Sequence, residues 1–249
     1  MQPAGEREHL QINYFLQYLV SAQFLRGAGM TLLITVVSLS IGIAVGLVLA
    51  LAQGSRHGAM RSFAFVYLWL FRGTPVLFQL IFVFNVLPVF GILLSGFTSA
   101  VLALGLNEGA YMAEIMRSGI QAIGRGQRTA ARALGMTEWQ VMRHVVLPQA
   151  FRIIIPPIGN QFIGMLKLSA LVSVIAVQDL LLVANQTASA NFRYLQALGA
   201  AGIYYLLLTT LFMAVQVRIE RWANRRGRRA TTPPPSLAQR LLGTQAAIR

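Results

Sequence analysis

The sequence predicts an all-α, polytopic membrane protein with about five transmembrane helices. Charged residues make up 11% of its 249 residues and hydrophobic residues 56%, whereas soluble domains carry about 25% charged residues. The hydrophobic residues fall in runs of about the 20 residues that a membrane-spanning helix requires. The arginines are concentrated in alternate connections between these runs. We therefore expect a multi-pass protein of the bacterial cytoplasmic (inner) membrane.

Five apolar segments are the predicted spans. In chain order they cover residues 30–52, 63–97, 97–116, 153–184 and 198–217. With their flanks, the second and the fourth exceed about 30 residues, which is too long for one straight helix across a bilayer. We expect both to be interrupted, and helix-breaking residues indicate the positions: Gly73–Pro75 in the second and Pro156–Pro157 in the fourth.

The arginine distribution predicts the orientation of the chain. Twenty of the 21 basic residues are arginine, and the exception is Lys167. Sixteen arginines lie in the loop after the first span, in the loop between the third and fourth spans, and from Arg218 to Arg249, against three in the other connections. Because basic loops stay in the cytoplasm, the N-terminus should lie outside and the C-terminus inside. The net charge of +14 then indicates contact with anionic membrane lipid, and no nucleic-acid partner is expected.

Composition divides the chain into three parts. Residues 1–24 form an N-terminal extracytoplasmic segment without the pattern of a cleavable signal peptide. Residues 25–224 form the transmembrane domain, and residues 225–249 form a basic, proline-rich tail that is predicted to be disordered. The chain has no cysteine and only three widely separated histidines, so neither a metal site nor a catalytic cluster is expected.

The largest cytoplasmic loop, residues 117–152, has the signals of two short helices. Gly135 is expected to end the first helix, because glycine readily adopts the left-handed conformation that follows a helix. Thr137 and Gln140 have the spacing of a capping box for the second. Pro148 is expected to end the cytoplasmic segment.

Two apolar side chains in this loop, Trp139 and Met142, are predicted to be exposed where lipid cannot cover them. An exposed apolar patch on a cytoplasmic loop is typical of a docking surface for another subunit. The alternative is that both helices pack against their own membrane domain. The loop alone does not choose between the two interpretations.

The spacing of the loop resembles the signature of permease subunits of ATP-binding-cassette (ABC) importers. That signature is Glu-Ala-Ala, three residues, Gly, nine residues, Ile, any residue, Leu-Pro, and it corresponds here to residues 129–135 and 145–148. Further segments resemble the branch that imports polar amino acids of the His/Glu/Gln/Arg type: residues 71–75, 108–120, 147–150, 156–157, 159–162, 166–167, 171–175 and 179–181. There are two departures, since Thr129 replaces the opening Glu and Leu168 replaces an Asp.

The resemblance implies a transport subunit without enzymatic activity. Its partners would be a dimer of ABC ATPase subunits, a second permease that is identical or homologous, and an extracytoplasmic solute-binding protein. No cofactor is expected in this chain, because ATP-Mg would bind the ATPase. In the family the loop forms a coupling helix that enters a cleft on the ATPase. The residues that this implies for coupling are Ala130, Ala131, Gly135, Trp139, Leu147 and Pro148.

Charged residues within apolar segments indicate the solute site. A cation at the bilayer centre costs about 2.5–3.5 kcal/mol on insertion scales and persists where it faces a bundle interior or a water-filled cavity. Arg72, Thr74, Glu108 and Lys167 are therefore the candidate substrate-binding residues. A purely structural alternative is that Arg72 and Lys167 form ion pairs with Glu108 or Glu114. Leu168, in place of the branch's Asp, favours neutral or acidic amino acids over cationic ones.

Other functions are less consistent with the sequence. The only lysine follows Leu166, so the chain cannot contain the Gly-Lys-Ser/Thr of a phosphate loop. A permease for another small polar solute and an ATPase-independent transporter remain alternatives. Residues 129–146 also have the spacing of a helix-turn-helix, as in a membrane-tethered DNA-binding protein. Two short connections to membrane spans leave little room for such a module.

Overall fold

A computed structural model describes the backbone of residues 4–225 and the side chains of residues 12–223. Every regular element in that range is helical, as the sequence predicts. The helices are α1 Ala4–Leu19, α2 Ala22–Gln53, α3 Gly58–Gly73, α4 Val76–Asn85, α5 Gly96–Gln121, α6 Arg125–Ala133, α7 Glu138–Gln140, α8 Leu147–Leu168, α9 Leu180–Asn191 and α10 Tyr194–Arg225. The predicted disordered tail lies outside the described residues from position 226 onward.

Three helical stretches are long and apolar enough to cross a membrane: Ala22–Gln53, Glu138–Ile175 and Tyr194–Ala223. The pair α3 and α4 makes a fourth if the two are counted as one bent span. Helix α5 has 26 residues, about 39 Å at 1.5 Å per residue, but it contains several polar and charged side chains. Five spans and the orientation of the termini stay predictions.

The second predicted segment is interrupted where its helix breakers lie. Helix α3 ends at Gly73 and α4 begins at Val76, with Thr74 and Pro75 extended between them. The two helices meet at an angle of 101°. Proline cannot continue the helix before it, because its ring clashes with the preceding turn.

The fourth segment is also interrupted, but the expected position was wrong. Helix α8 continues through Pro156 and Pro157 and ends at Leu168, where a 3₁₀ helix, Ser169–Ile175, begins. Helix α10 supports α8 at the prolines, since Gln216 Nε2 donates to the carbonyl of Pro156 at 3.2 Å. The chain turns instead at Ala176, whose φ of 58° is left-handed.

Pro148 does not interrupt the helical path either. It lies in the first turn of α8, and a π-helical segment, Val141–Val146, joins α7 to α8 without a gap. The backbone N–H of Leu147 donates to the carbonyl of Met142, five residues earlier. The π turn already replaces the usual hydrogen bonds between residues four apart. The missing N–H of Pro148 therefore does not interrupt the helical path from α7 to α8.

The centre of the bundle is a close contact between α2 and α5 that depends on glycine. A Cβ added at Gly42 would lie 2.7 Å from Glu108 Cγ, and one at Gly46 would lie 2.9 Å from the backbone N of Ala113. Gly105 and Gly109 of α5 approach α2 equally closely. Small residues at every fourth position let membrane helices approach at backbone distance.

We expect Gly46→Ala to destabilise this contact, because its Cβ would meet the α5 backbone rather than a movable side chain. Overpacking of this kind costs about 1–3 kcal/mol. Gly29→Ala, in the same helix, is the control, since a Cβ there meets nothing within 4 Å. Thermal unfolding in detergent should show a lower midpoint for the first variant and no loss for the second. Equal losses of thermal stability in the two variants would contradict a close contact between α2 and α5 at Gly46.

Candidate functional site

The break between α3 and α4 carries a network of amide side chains. Gln79 Nε2 lies 2.8 Å from Thr74 Oγ1 and 2.9 Å from the carbonyl oxygen of Phe71. Asn107 Nδ2, from α5, donates to Gln79 Oε1 and to the Phe71 carbonyl, each at 3.0 Å. The network satisfies carbonyls that the break leaves without helical partners. Thr74 is thus held against Gln79, a residue that sequence reasoning missed.

Arg72 forms an ion pair with Glu114 of α5. Both side chains are partly exposed, and the guanidinium also lies 5.7 Å from the centre of the Tyr111 ring. The pairing agrees with the structural alternative for Arg72 and selects Glu114 rather than Glu108 as its partner. A partly exposed pair keeps one face of the guanidinium open to a ligand.

Glu108 lies in a different environment. It is only 4% exposed, its carbon chain packs against Gly42 of α2, and its Oε1 has no hydrogen-bond partner among the described side chains. Its neighbour Asn107 instead reaches the α3–α4 break. Glu108 is therefore closed off from solute in this conformation.

Lys167 lies one residue before the end of α8 and is exposed. Within residues 12–223 it has no ion-pair partner. Asn160, seven residues earlier, is exposed on the same face of the helix. The structure records no contact joining Lys167, Glu108 and Arg72, so a single chain does not assemble the four candidate residues into one site.

The cytoplasmic loop has the predicted form. Helix α6 ends before Gly135, whose φ of 78° is left-handed, and the capping box of Thr137 and Gln140 is present. Arg132 Nε and Nη2 donate to the two carboxylate oxygens of Glu138 at 2.6 and 3.1 Å, across the turn. This pair lowers the pKa of Glu138 and joins the two short helices.

One side of this loop packs against its own membrane domain, and the other side is free to dock against another subunit. Ala131 is buried with Ile123, Val141, Val146 and Ala150, and Met142 packs against this cluster, so the expectation that Met142 is exposed was wrong. The opposite side faces outward. Trp139 is 67% exposed, as predicted, and Leu134 is 83% exposed, which sequence reasoning missed.

The remaining coupling candidates Ala130, Gly135, Leu147 and Pro148 are also exposed. The helix-turn-helix interpretation does not agree with the structure. A recognition helix must be free to enter a groove, whereas here the second helix continues through Val141–Val146 into α8. Within the described part of the chain, no three His, Asp or Glu side chains are grouped to hold a metal ion.

Comparison with protein families places this chain among transport components. Residues 42–225 match the family described as "Binding-protein-dependent transport system inner membrane component". The arginine transport system permease protein ArtQ of Bacillus subtilis is 41% identical over 198 residues, which cover 79% of this chain and 90% of that protein. The glutamine transport system permease protein GlnP of Escherichia coli K12 is 36% identical over 199 residues, with coverage of 79% and 91%.

Solved structures give the same result. A crystal structure of an amino acid ABC transporter with histidines contains a chain that is 42% identical, with a TM-score of 0.77 and coverage of 80% of this chain and 93% of that one. An inward-facing methionine ABC transporter, MetNI, has a chain with a TM-score of 0.69 at 22% identity. The second likeness is one of fold.

Proposed function

The chain belongs to the family of binding-protein-dependent transport system inner membrane components, and from this membership we propose that it forms half of the path by which a polar amino acid enters the cell. It is a permease subunit of an ABC importer in the inner membrane. A second permease, identical or homologous, would form the other half. A solute-binding protein would deliver the amino acid from outside.

The observation that carries the proposed path is the polar character of one outward face. The outer side of α2 is apolar, with Leu32, Val36 and Leu47 exposed, and this suits contact with lipid. The outward face of α8 instead carries Lys167 and Asn160, and the Oδ1 of Asn160 accepts a hydrogen bond from Gln216 of α10 at 3.3 Å. Because a charge facing hydrocarbon is costly, this face should line a hydrated path.

The proposed solute site combines this face with the α3–α4 break. Lys167 and Arg72 are the cations available to a carboxylate, and Thr74 supplies a hydroxyl beside the break. Glu108 would meet a substrate amine only in a conformation that opens the seam between α2 and α5. Interrupted helices at mid-membrane are typical of solute sites in transporters.

Energy would come from the ATPase through the cytoplasmic loop. Leu134 and Trp139 form an exposed apolar patch beside Gly135, of the kind that docks into a partner. ATP-Mg would bind only the ATPase subunits. Thr129, which stands where the family signature has Glu, is exposed on the same loop.

The carried solute is proposed to be a neutral or acidic polar amino acid. Some relatives are named for arginine and others for glutamine. Leu168 follows Lys167 at the end of α8, so the cation there has no adjacent carboxylate in the sequence. A lysine without such a neighbour favours the carboxylate of a solute over a second positive charge.

Uptake by the complete transporter tests the proposal. The permease, ATPase and solute-binding protein are reconstituted in proteoliposomes and given labelled glutamine, glutamate or arginine. We expect uptake that requires ATP and is abolished when the ATPase is replaced by a hydrolysis-deficient variant. Uptake driven by an ion gradient without the ATPase would support the ATPase-independent alternative instead. Arginine as the preferred solute would contradict the inference from Leu168.

A further inference from the structure

A cleft of about 510 Å³ lies between α3, α5 and the end of α2, and its lining contains no residue of α8. Its polar lining includes Arg61, Arg72, Arg117, Glu114 and Gln53. Three guanidinium groups therefore meet one carboxylate. The excess of positive charge indicates an anionic ligand.

The position of the cleft fits the cytoplasmic boundary of the membrane. Gln53 is the last residue of α2, Arg61 lies in the first turn of α3, and Arg117 lies near the end of α5. The arginine distribution predicts that these three helix ends lie at the cytoplasmic side. Lipid phosphates lie at this depth.

Two of the three arginines are available to a ligand. Arg72 is neutralised by Glu114, whereas neither Arg61 nor Arg117 has an ion-pair partner within residues 12–223. Arg117 Nη1 donates to Gln53 Oε1 at 3.1 Å, which orients the amide. The Nε2 of Gln53 is buried without a hydrogen-bond acceptor among the described residues, whereas the side chains of Arg61 and Arg117 are exposed.

The other half of the lining is apolar and aromatic. Phe65 and Trp69 follow Arg61 at intervals of four residues, on one face of α3, and are 70% and 68% exposed. Trp69 lies about 12 Å along the helix from Arg61 at 1.5 Å per residue. A free inorganic anion would not contact this apolar surface, whereas a phospholipid combines a phosphate with an acyl chain that can cover it.

We propose that this cleft binds an anionic phospholipid. The headgroup phosphate lies between Arg61 and Arg117, because guanidinium groups match phosphate oxygens in geometry and charge. The acyl chain runs along Phe65 and Trp69. Basic pockets between membrane helices on the cytoplasmic side are suited to such headgroups. The cleft shares Arg72 and Gly73 with the proposed solute site at the α3–α4 break, but the arginines proposed to hold the phosphate, Arg61 and Arg117, are not part of that solute site.

Native mass spectrometry of the purified transporter measures the lipid directly. The wild-type protein is expected to retain phosphatidylglycerol through delipidation. The Arg61→Gln/Arg117→Gln variant is expected to retain at least roughly tenfold less of it, since two charge-assisted contacts are lost. Arg56→Gln/Arg218→Gln is the matched control, because it removes the same charge from exposed cytoplasmic positions outside the cleft. Equal retention by both double variants would overturn the proposal.

Wild-type protein provides a second test that does not depend on a variant folding. Adding phosphatidylglycerol to delipidated transporter should raise its unfolding temperature, while phosphatidylcholine or inorganic phosphate should not. Stabilisation by inorganic phosphate alone would make this a free-anion site. The natural chain has no cysteine, so a Trp69→Cys variant can also be cross-linked. Cross-links between two copies would mean that the second permease covers the cleft, which overturns the lipid assignment.

Discussion

Replacing Gly135 with valine should leave the protein inserted in the membrane but separate it from ATP hydrolysis. Gly135 has a φ of 78°, a left-handed conformation that is strongly unfavourable for a β-branched residue. Space is not the reason, because a Cβ there would meet nothing within 4 Å. The strain is expected to cost about 1–3 kcal/mol, and the chain would relieve it by changing the angle between α6 and α7.

This angle sets the position of the docking patch. Leu134 and Trp139 flank the turn, and the Arg132–Glu138 pair spans it. A change of φ at Gly135 would move the two apolar side chains relative to each other. We therefore expect lost ATPase co-purification, or lost substrate-stimulated hydrolysis in proteoliposomes, with normal amounts of permease in the membrane.

Two further variants separate conformation from size. Gly124→Val adds the same side chain in the same loop, but at a φ of −53° and with nothing within 4 Å, so it should stay coupled. Gly135→Asn should retain part of the activity, because asparagine tolerates the left-handed region. Normal transport by Gly135→Val would refute the assignment of this loop as the docking surface.

Replacing Lys167 with methionine should abolish or alter solute selection and leave the bundle intact. Lys167 is exposed and has no ion-pair partner in the described part of the chain, so no structural bond is lost with its charge. Methionine keeps a similar length and suits a helix. Expression, thermal stability and basal ATP hydrolysis of the assembled transporter should stay near those of the wild type, while solute-stimulated hydrolysis falls.

Glu108→Gln gives the informative contrast. If Glu108 binds a substrate amine, this nearly isosteric change should lower transport without lowering stability. If the residue serves only the α2–α5 seam, stability should change and the selectivity of the surviving protein should not. Leu168→Met, one position after Lys167, controls for disturbance at the end of α8. Loss of folded protein in both charge variants, with selectivity unchanged, would make these residues structural.

Local signals predicted much of this structure. The long apolar runs predicted an all-α membrane protein, Pro75 marked the α3–α4 break, and Gly135 with its capping box marked the loop helices. These features depend on neighbours in the chain. The turn at Ala176, after the 3₁₀ helix Ser169–Ile175, was missed because that stretch contains no proline or glycine. Pro156 and Pro157 gave a false signal, because contacts with α10 hold them within α8.

The candidate site was harder to predict because it depends on helix registers. Whether Glu108 faces a path or a neighbouring helix is decided by the position of Gly42 on α2, 66 residues earlier. The partners of Arg72 and Gln79 likewise come from α5. Side-chain type indicated which residues need partners, but only the packed structure identifies those partners.

The unbroken connection from α7 to α8 has a mechanical consequence. Trp139 and Lys167 lie on one helical stretch, about 42 Å apart at 1.5 Å per residue, and α10 supports this stretch at Pro156, where a helix would otherwise bend most easily. A rigid rod passes a tilt at one end to the other. Displacement of Trp139 would thus reach Lys167 as motion of the whole rod, and the chain would bend where this stretch ends, at Ala176.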